Sequence, residues 1–155
     1  MWRRFRVIVI ICVMTMAALA ADNSVGAWRM NFEKSGIPVS ARSPRSVVLV
    51  YEPIDGGIKT TSKVEYSDGR TTSGGYTVKY DGKEYPTNLD GMVDLMSLRQ
   101  IDANTFVIDE RKKGGKRHQH GRKVISADGK TMTFTVEGTD DEGKPFKAVW
   151  VYDRQ

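Results

Sequence analysis

Apolar and polar residues alternate along most of this chain with a period of two, which is the pattern of a β-strand with one buried face. In residues 26–32, Trp28, Met30 and Phe32 fall on one face, and polar or charged side chains fall on the other. Residues 146–154, at the far end of the chain, alternate in the same way. We expect the last strand to pair with the first.

Eight further runs with this alternation lie between these two. Asp-Gly and Gly-Gly pairs separate several of them, and such pairs between alternating runs are strong signals for β-hairpins. Residues 34–45 contain Pro38 and Pro44 and show no helical period, so they are predicted to form an ordered surface loop. The eight intervening strands are predicted at residues 46–52, 58–66, 70–80, 83–86, 92–101, 105–111, 116–126 and 131–137.

These strands and their short turns favour an all-β fold, a single antiparallel up-and-down (meander) β-barrel of about 8–10 strands. A closed barrel removes the exposed strand edges that promote aggregation. A β-sandwich is the alternative, but it usually needs longer crossing connections than these turns provide. The predicted fold is therefore one barrel domain over residues 21–155.

Residues 1–20 have the pattern of a signal peptide. Three arginines precede an apolar run at residues 7–16, and the small-x-small sequence at 18–20 suits cleavage before Ala21. The apolar run is too short for a comfortable transmembrane helix. We therefore expect export through a cleaved signal peptide, a periplasmic or secreted location, and no membrane span in the mature chain.

Removal of the signal peptide changes the charge and the cysteine content. The whole chain has 24 Lys and Arg against 19 Asp and Glu, a formal net charge of +5. Loss of three arginines leaves 21 basic residues and a net charge of about +2, which gives no reason to expect a nucleic-acid partner. Cys12 is lost as well, so the mature domain depends on its own core and not on disulfides.

The segment Gly26-Ala27-Trp28 resembles the Gly-x-Trp that opens the first strand of lipocalins and fatty-acid-binding proteins. In those families an arginine or lysine from the last strand packs over the tryptophan near the closed end of the barrel. The residue here that matches is Arg154. The resemblance thus implies that Trp28 and Arg154 close the barrel, through a contact that contributes about 0.5–2 kcal/mol.

The mature chain as a whole resembles a group of small exported bacterial proteins of the lipocalin-like (calycin-type) β-barrel class. The matching residues are mostly in turns and at strand ends, so they imply a fold and little about activity. One departure concerns the helical lid of fatty-acid-binding proteins, which the two prolines of residues 34–45 cannot form. The matching segments are residues 26–31, 34–35, 80–86, 99–105, 126–131 and 151–153.

Aromatic residues on the predicted inward faces are candidates for the lining of a ligand site. Barrels of this size either hold one small ligand or are filled by their own side chains, and the sequence is compatible with both. In a hollow barrel we expect Trp28, Phe134 and Trp150 to pack on the ligand. Arg99, if it points inward, would hold a ligand carboxylate or phosphate, and a partnered structural arginine is the alternative. Other residues predicted to face inward are Tyr51, Thr60, Ser62, Tyr66, Tyr76, Tyr80, Ser97 and Phe146.

The function predicted from these features is that of a monomeric, exported barrel that binds a small molecule, partly apolar or anionic. The alternative is a cell-envelope interaction module that binds acidic surfaces through a basic hairpin at residues 111–123. Lysines that protect a solvated strand face would explain the same charges. The basic residues of the hairpin are Arg111, Lys112, Lys113, Lys116, Arg117, Arg122 and Lys123.

His118 and His120 would share one face of a strand and are the only histidines. A closed metal site needs three or four ligands, and the neighbouring basic residues would repel a cation, so we predict no metal and no other cofactor. No serine is placed to form a catalytic triad, and the acidic residues fall mostly in turns. An enzyme is therefore not predicted, and a hydrolase or isomerase at the barrel mouth is the least favoured alternative.

Overall fold

The computed structural model describes residues 21–36, 44–89 and 92–155. The predicted signal peptide and residues 37–43 of the predicted loop lie outside this part of the chain. The described residues form ten strands and no helix, so none of them belongs to a helix that could cross a membrane. The strands are β1 (Gly26–Met30), β2 (Pro44–Ile54), β3 (Gly57–Tyr66), β4 (Thr71–Lys79), β5 (Tyr85–Asn88), β6 (Leu95–Gln100), β7 (Thr105–Arg111), β8 (His118–Ile125), β9 (Thr131–Thr139) and β10 (Pro145–Arg154).

The ten strands form one closed antiparallel barrel in which each strand pairs with its neighbours in sequence, and β10 returns to β1. The closing pair sets Trp28 opposite Arg154 and Met30 opposite Tyr152. On its other side β1 pairs with β2, where Trp28 lies opposite Leu49. The predicted up-and-down barrel, with its last strand against its first, is confirmed, and the sandwich alternative is excluded.

Strand β5 is the shortest strand of the barrel, and its position differs from the one predicted from the sequence. It was expected at residues 83–86 but lies two residues later, because a turn in which the Lys83 N–H bonds to the Asp81 carboxylate at 3.0 Å occupies the earlier positions. It pairs with β4 only at residues 87 and 88 and with β6 only at residues 85 and 86. Pro86 has no N–H for the ladder, which keeps this seam short.

The inward side chains divide the interior into two halves. One end of the barrel carries the turns that join β2 to β3 and β6 to β7. The inward side chains fill the interior completely at this end, which we call the closed half. Fully buried side chains exclude water there, and burial of each large apolar one contributes about 1.5–3 kcal/mol. The closed half contains Trp28, Ile58, Val78, Phe106, Lys123 and Ile125, each at most 2% exposed.

Candidate functional site

The other half of the barrel, which we call the open half, contains a cavity of about 370 Å³. This volume lies at the lower end of the range of roughly 300–1,000 Å³ that is usual for small-molecule sites. The barrel is therefore filled by its own side chains in the closed half and hollow in the open half. The mouth of the cavity is lined by Phe32, Pro44, Tyr66, Leu89, Met92 and Phe146.

Phe134 and Trp150, both predicted to pack on a ligand, line the wall of this cavity. They lie opposite each other on β9 and β10, with ring centroids 5.3 Å apart and planes at 48°. A Cβ on Gly121 would come within 2.3 Å of the Phe134 ring, so the absence of a side chain on β8 makes room for that ring. Contact with a ligand remains a prediction for both residues.

Trp28, the third predicted packing residue, does not line the cavity. It is fully buried in the closed half, and its indole N–H donates to the Ser24 carbonyl at 2.7 Å. The Arg154 guanidinium lies over the indole ring, 4.2 Å from its centroid. The arrangement therefore matches the closure role that the resemblance implied, and the expected contact between Trp28 and a ligand in the cavity is wrong.

Arg154 also ties the chain that precedes β1 across the closed end. Its guanidinium donates to the carbonyls of Asn23, Val25 and Gly129 at 2.6–2.7 Å. A Cβ on Gly26 would lie 2.7 Å from the Arg154 Nη1, and Gly26 has a φ of 125°, which other residues rarely adopt. The close approach of Arg154 and the positive φ explain why a glycine stands at the start of the Gly-x-Trp segment.

Lys123 was expected on the basic hairpin but lies inside the barrel, 2% exposed. Its ammonium sits between the rings of Tyr51 and Phe106, 4.3 and 4.2 Å from their centroids. Burial lowers the pKa of Lys123 to about 8, and the charge of Asp22 partly opposes that shift. The expectation of a surface charge is wrong because β8 alternates strictly, with Gln119, Gly121 and Lys123 all facing inward.

A group of polar side chains, which we call the polar cluster, faces the cavity from six strands. The Gln119 amide donates to the Glu110 carboxyl across the β7–β8 pair. Glu110 is 6% exposed, and this burial raises the pKa of its carboxyl. The carboxyl of Glu110 is also close enough to three phenols to raise their pKa values. The polar cluster consists of Tyr51, Thr60, Tyr76, Glu110, Gln119 and Tyr152, all of which line the cavity.

The phenols of the polar cluster stay uncharged. Desolvation raises the pKa of Tyr51 and of Tyr152, and the proximity of Glu110 adds to both shifts. Burial raises the pKa of Tyr76 to about 12, although the neighbouring hydroxyls of Thr60 and Tyr51 partly oppose that shift. At neutral pH these three groups therefore present neutral hydroxyls and aromatic faces to the cavity.

Thr60 is the one buried polar side chain, among the described residues, whose hydroxyl has no hydrogen-bond partner. The residue is 2% exposed and lines the cavity between Tyr51 and Tyr76, which are its partners on the neighbouring strands. Its hydroxyl is close enough to lower the pKa of Tyr76, although no partner lies at hydrogen-bonding geometry. A buried hydroxyl without a partner costs about 1–3 kcal/mol.

Arg99, the predicted polar anchor, is exposed and absent from the cavity lining. Met96 and Leu98 take the buried positions of β6, so strand alternation turns Arg99 to the outer face. There the backbone of Arg99 forms an isolated antiparallel β-bridge with that of Asp81. The Arg99 side chain lies 3.1 Å from the position of a Cβ on Gly82. The expected inward anchor is therefore wrong.

The basic hairpin carries less free charge than its sequence indicates. Arg111 forms a two-pronged ion pair with Glu84 at 2.5 and 2.7 Å, and Arg117 forms one with Asp141 at 3.1 and 2.8 Å. Lys123 is inside the barrel. The remaining members, Lys112, Lys113, Lys116 and Arg122, lie outside the interior core.

His118 and His120 both face outward from β8. The His120 Nδ1 lies 2.7 Å from the Asp109 carboxylate on the neighbouring strand. No group of three or more residues of the metal-ligating types comes together in the described part of the chain. Both histidines therefore lie on the outside of the barrel, away from the cavity, and His120 makes a surface contact with Asp109.

Comparison with known proteins bears on the fold alone. No protein-family model matches the chain, and no curated protein matches its sequence. The barrel is similar to that of a Schistosoma mansoni fatty acid binding protein in complex with arachidonic acid, with a TM-score of 0.54, 15% identity, and coverage of 88% of this chain and 98% of that one. The structure of EF1p2_mFAP2b bound to DFHBI matches with a TM-score of 0.45, 11% identity, and coverage of 86% and 94%.

The first of these similarities shows a shared architecture, the antiparallel barrel of the fatty-acid-binding and lipocalin-like fold. The resemblance predicted from Gly-x-Trp is thus confirmed at the level of fold. Membership of an exported bacterial group stays a prediction, because no sequence family matches.

Proposed function

We propose that this protein is an exported, monomeric barrel that reversibly binds a small, mainly apolar molecule in the cavity of its open half. The observation that carries the proposal is the cavity itself, which has an apolar wall and one compact polar cluster. Transfer of apolar ligand surface out of water into such a wall provides the driving force. The Schistosoma mansoni barrel of similar fold is in complex with arachidonic acid, a molecule with a long apolar chain, which supports this class of ligand.

The first experiment is native mass spectrometry of the protein purified gently after expression of the full chain, compared with a sample extracted with organic solvent. We expect an additional mass that the extraction removes. The same spectrum gives the length of the polypeptide and so tests cleavage before Ala21. A polypeptide that keeps residues 1–20 would overturn the export part of the proposal.

A titration with the neutral fluorescent probe N-phenyl-1-naphthylamine tests the cavity directly. Ser62 lines the cavity, so Ser62→Phe should fill part of it and weaken probe binding about tenfold or more. The matched control is Ser97→Phe, since Ser97 was predicted to face inward but lies opposite Asp109 on the outer face of β6. Equal probe affinity in the two variants, with both folded by circular dichroism, would contradict binding in the cavity.

A further inference from the structure

The polar cluster contains one carboxyl group, Glu110, and its position in the cavity is unusual. Carboxyl groups are rarely this buried unless a cation pairs with them. The group that holds Glu110 is the neutral amide of Gln119, and no cation lies within 4.0 Å of its carboxyl in the described part of the chain. Glu110 is therefore a buried acid that lacks a counter-ion.

One cation lines the cavity and another lies behind its wall, and both are already engaged elsewhere. Arg117 lines the mouth, but its guanidinium is held by the two oxygens of Asp141. The ammonium of Lys123 lies over the Tyr51 and Phe106 rings, and Lys123 does not line the cavity. Neither cation offers an anchor for an anionic ligand inside the cavity.

The surroundings of Glu110 suit a positive charge. Tyr51, Tyr76 and Tyr152 bring aromatic rings and neutral hydroxyls to the same part of the wall, and Trp150 and Phe134 add further rings. Aromatic faces attract ammonium groups through the ring quadrupole, most strongly where water is excluded. The unpartnered hydroxyl of Thr60 supplies an acceptor for an N–H donor.

We propose that the cavity selects amphiphilic amines, molecules with an apolar body and an ammonium end, and that Glu110 is the counter-ion for that end. This inference rests on ligand binding in the cavity as proposed above and adds the charge of the ligand. It departs from the expectation of an anionic ligand, because the site contains an acid and no available base.

The mechanism follows from the protonation of the buried acid. Burial raises the pKa of Glu110, so the empty site holds a neutral carboxyl up to a higher pH than an exposed glutamate would. A bound ammonium favours the carboxylate, and a proton leaves Glu110 for solvent when the ligand binds at low pH. Affinity for the amine therefore rises with pH through the Glu110 pKa.

The phenols beside Glu110 and the two cations near the cavity do not titrate over this range. Tyr51, Tyr76 and Tyr152 have pKa values raised further above 10, so they stay neutral. Lys123, whose pKa lies at about 8, and Arg117 keep their charges below neutral pH. A change in affinity between roughly pH 4 and pH 7 thus reports on Glu110.

The test compares three ligands with the same tail, decylammonium, decan-1-ol and decanoate, as competitors of N-phenyl-1-naphthylamine. At pH 7 we expect decylammonium to bind at least about tenfold more tightly than decan-1-ol, and decanoate to bind most weakly. The preference for decylammonium over decan-1-ol should shrink as the pH falls towards 4. Binding of decanoate at pH 7 that is as tight as that of decylammonium, or tighter, would overturn the inference.

The decisive variant is Glu110→Gln, which keeps the size of the side chain and removes its charge. It should abolish the preference for decylammonium and flatten the pH profile, while the affinity for decan-1-ol stays within about threefold. Glu137→Gln is the matched control, because Glu137 lies exposed on the outer face of β9 and pairs with Lys147. If Glu110→Gln does not fold, the pH profile of the unmodified protein decides.

The outcomes separate the two proposals. Absence of binding for the neutral probe and all three decyl compounds would overturn the cavity as a ligand site. Binding of the neutral probe without a preference for the amine, or an amine preference that survives in Glu110→Gln, would overturn only the role of Glu110.

Discussion

At the scale of single residues, the buried charge of Lys123 has a predictable effect on stability. An unfolded lysine has a pKa of about 10.4. The folded pKa of about 8 means that the folded state is penalised below that pH, where the lysine is charged in both states. The penalty is relieved as the pH rises from about 8 towards 10.4, since the unfolded chain then binds more protons than the folded one.

The variant Lys123→Met should therefore gain stability relative to the unmodified protein, and the gain should be larger at pH 7 than at pH 10. The difference between the two pH values is expected to be about 2–3 kcal/mol, from the size of the pKa shift. Urea unfolding at both pH values measures it, with the exposed Lys130→Met as control. A gain that does not change with pH would contradict the buried position of the ammonium.

Thr60 makes a second prediction at this scale. Its hydroxyl is buried without a partner, so Thr60→Val removes a desolvated polar group while it keeps the shape of the side chain. We expect the free energy of unfolding to rise by about 1 kcal/mol in the absence of ligand. The control is Thr61→Val on the exposed face of β3, where the change should stay within about 0.5 kcal/mol. A destabilised Thr60→Val would mean that the hydroxyl is satisfied.

At the scale of elements, closure of the barrel depends on the joint between β1 and β10. Only three residue pairs join these strands, from Trp28 with Arg154 to Met30 with Tyr152. Arg154 adds the contact over the Trp28 ring and its bonds to the chain before β1. The short ladder is therefore supported by one side chain that connects both strands to the segment across the closed end.

Replacement of that side chain should weaken the whole barrel. We expect Arg154→Met to lower the free energy of unfolding by about 2–4 kcal/mol, because three charge-assisted hydrogen bonds and the cation–π contact are lost. Arg154→Lys should recover only part of this, since an ammonium cannot reproduce the planar guanidinium contacts. Denaturant unfolding measures both, with Arg122→Met on the outer face as control. A change within about 0.5 kcal/mol for Arg154→Met would count against this role.

At the scale of the whole molecule, the sequence predicted the barrel well because alternation and turn residues act locally. The runs that contain Trp28 and Phe134 have one clearly apolar face, and the structure turns both of these faces inward. Residues 92–101 have apolar residues on both faces, so their phase is ambiguous. Arg99 was predicted to face inward because the sequence does not distinguish the two faces of this run. In the structure, β6 pairs with its neighbours so that Met96 and Leu98 face inward instead.

The polar residues of the site were harder to predict. Glu110 follows Phe106 and Ile108 at steps of two, so the phase of β7 already places it inward. The signal was present, but a charged side chain is normally assigned to the solvated face. Lys123 was missed for the same reason, since its neighbours Lys116, Arg117 and Arg122 suggested a surface patch. The partners of its ammonium are Phe106, which lies opposite on β7, and Tyr51, which reaches it from β2 across the barrel and which local patterns do not reveal.

The division of the interior into a filled half and a hollow half has a consequence for how this protein can change over time. Substitutions around Trp28 and Phe106 disturb close packing and are costly to the fold. Substitutions around Ser62, Phe134 and Trp150 face free volume, so side chains of other sizes and polarities can be accepted there. The lining of the open half can therefore change in the course of evolution or engineering while the closed half preserves the barrel.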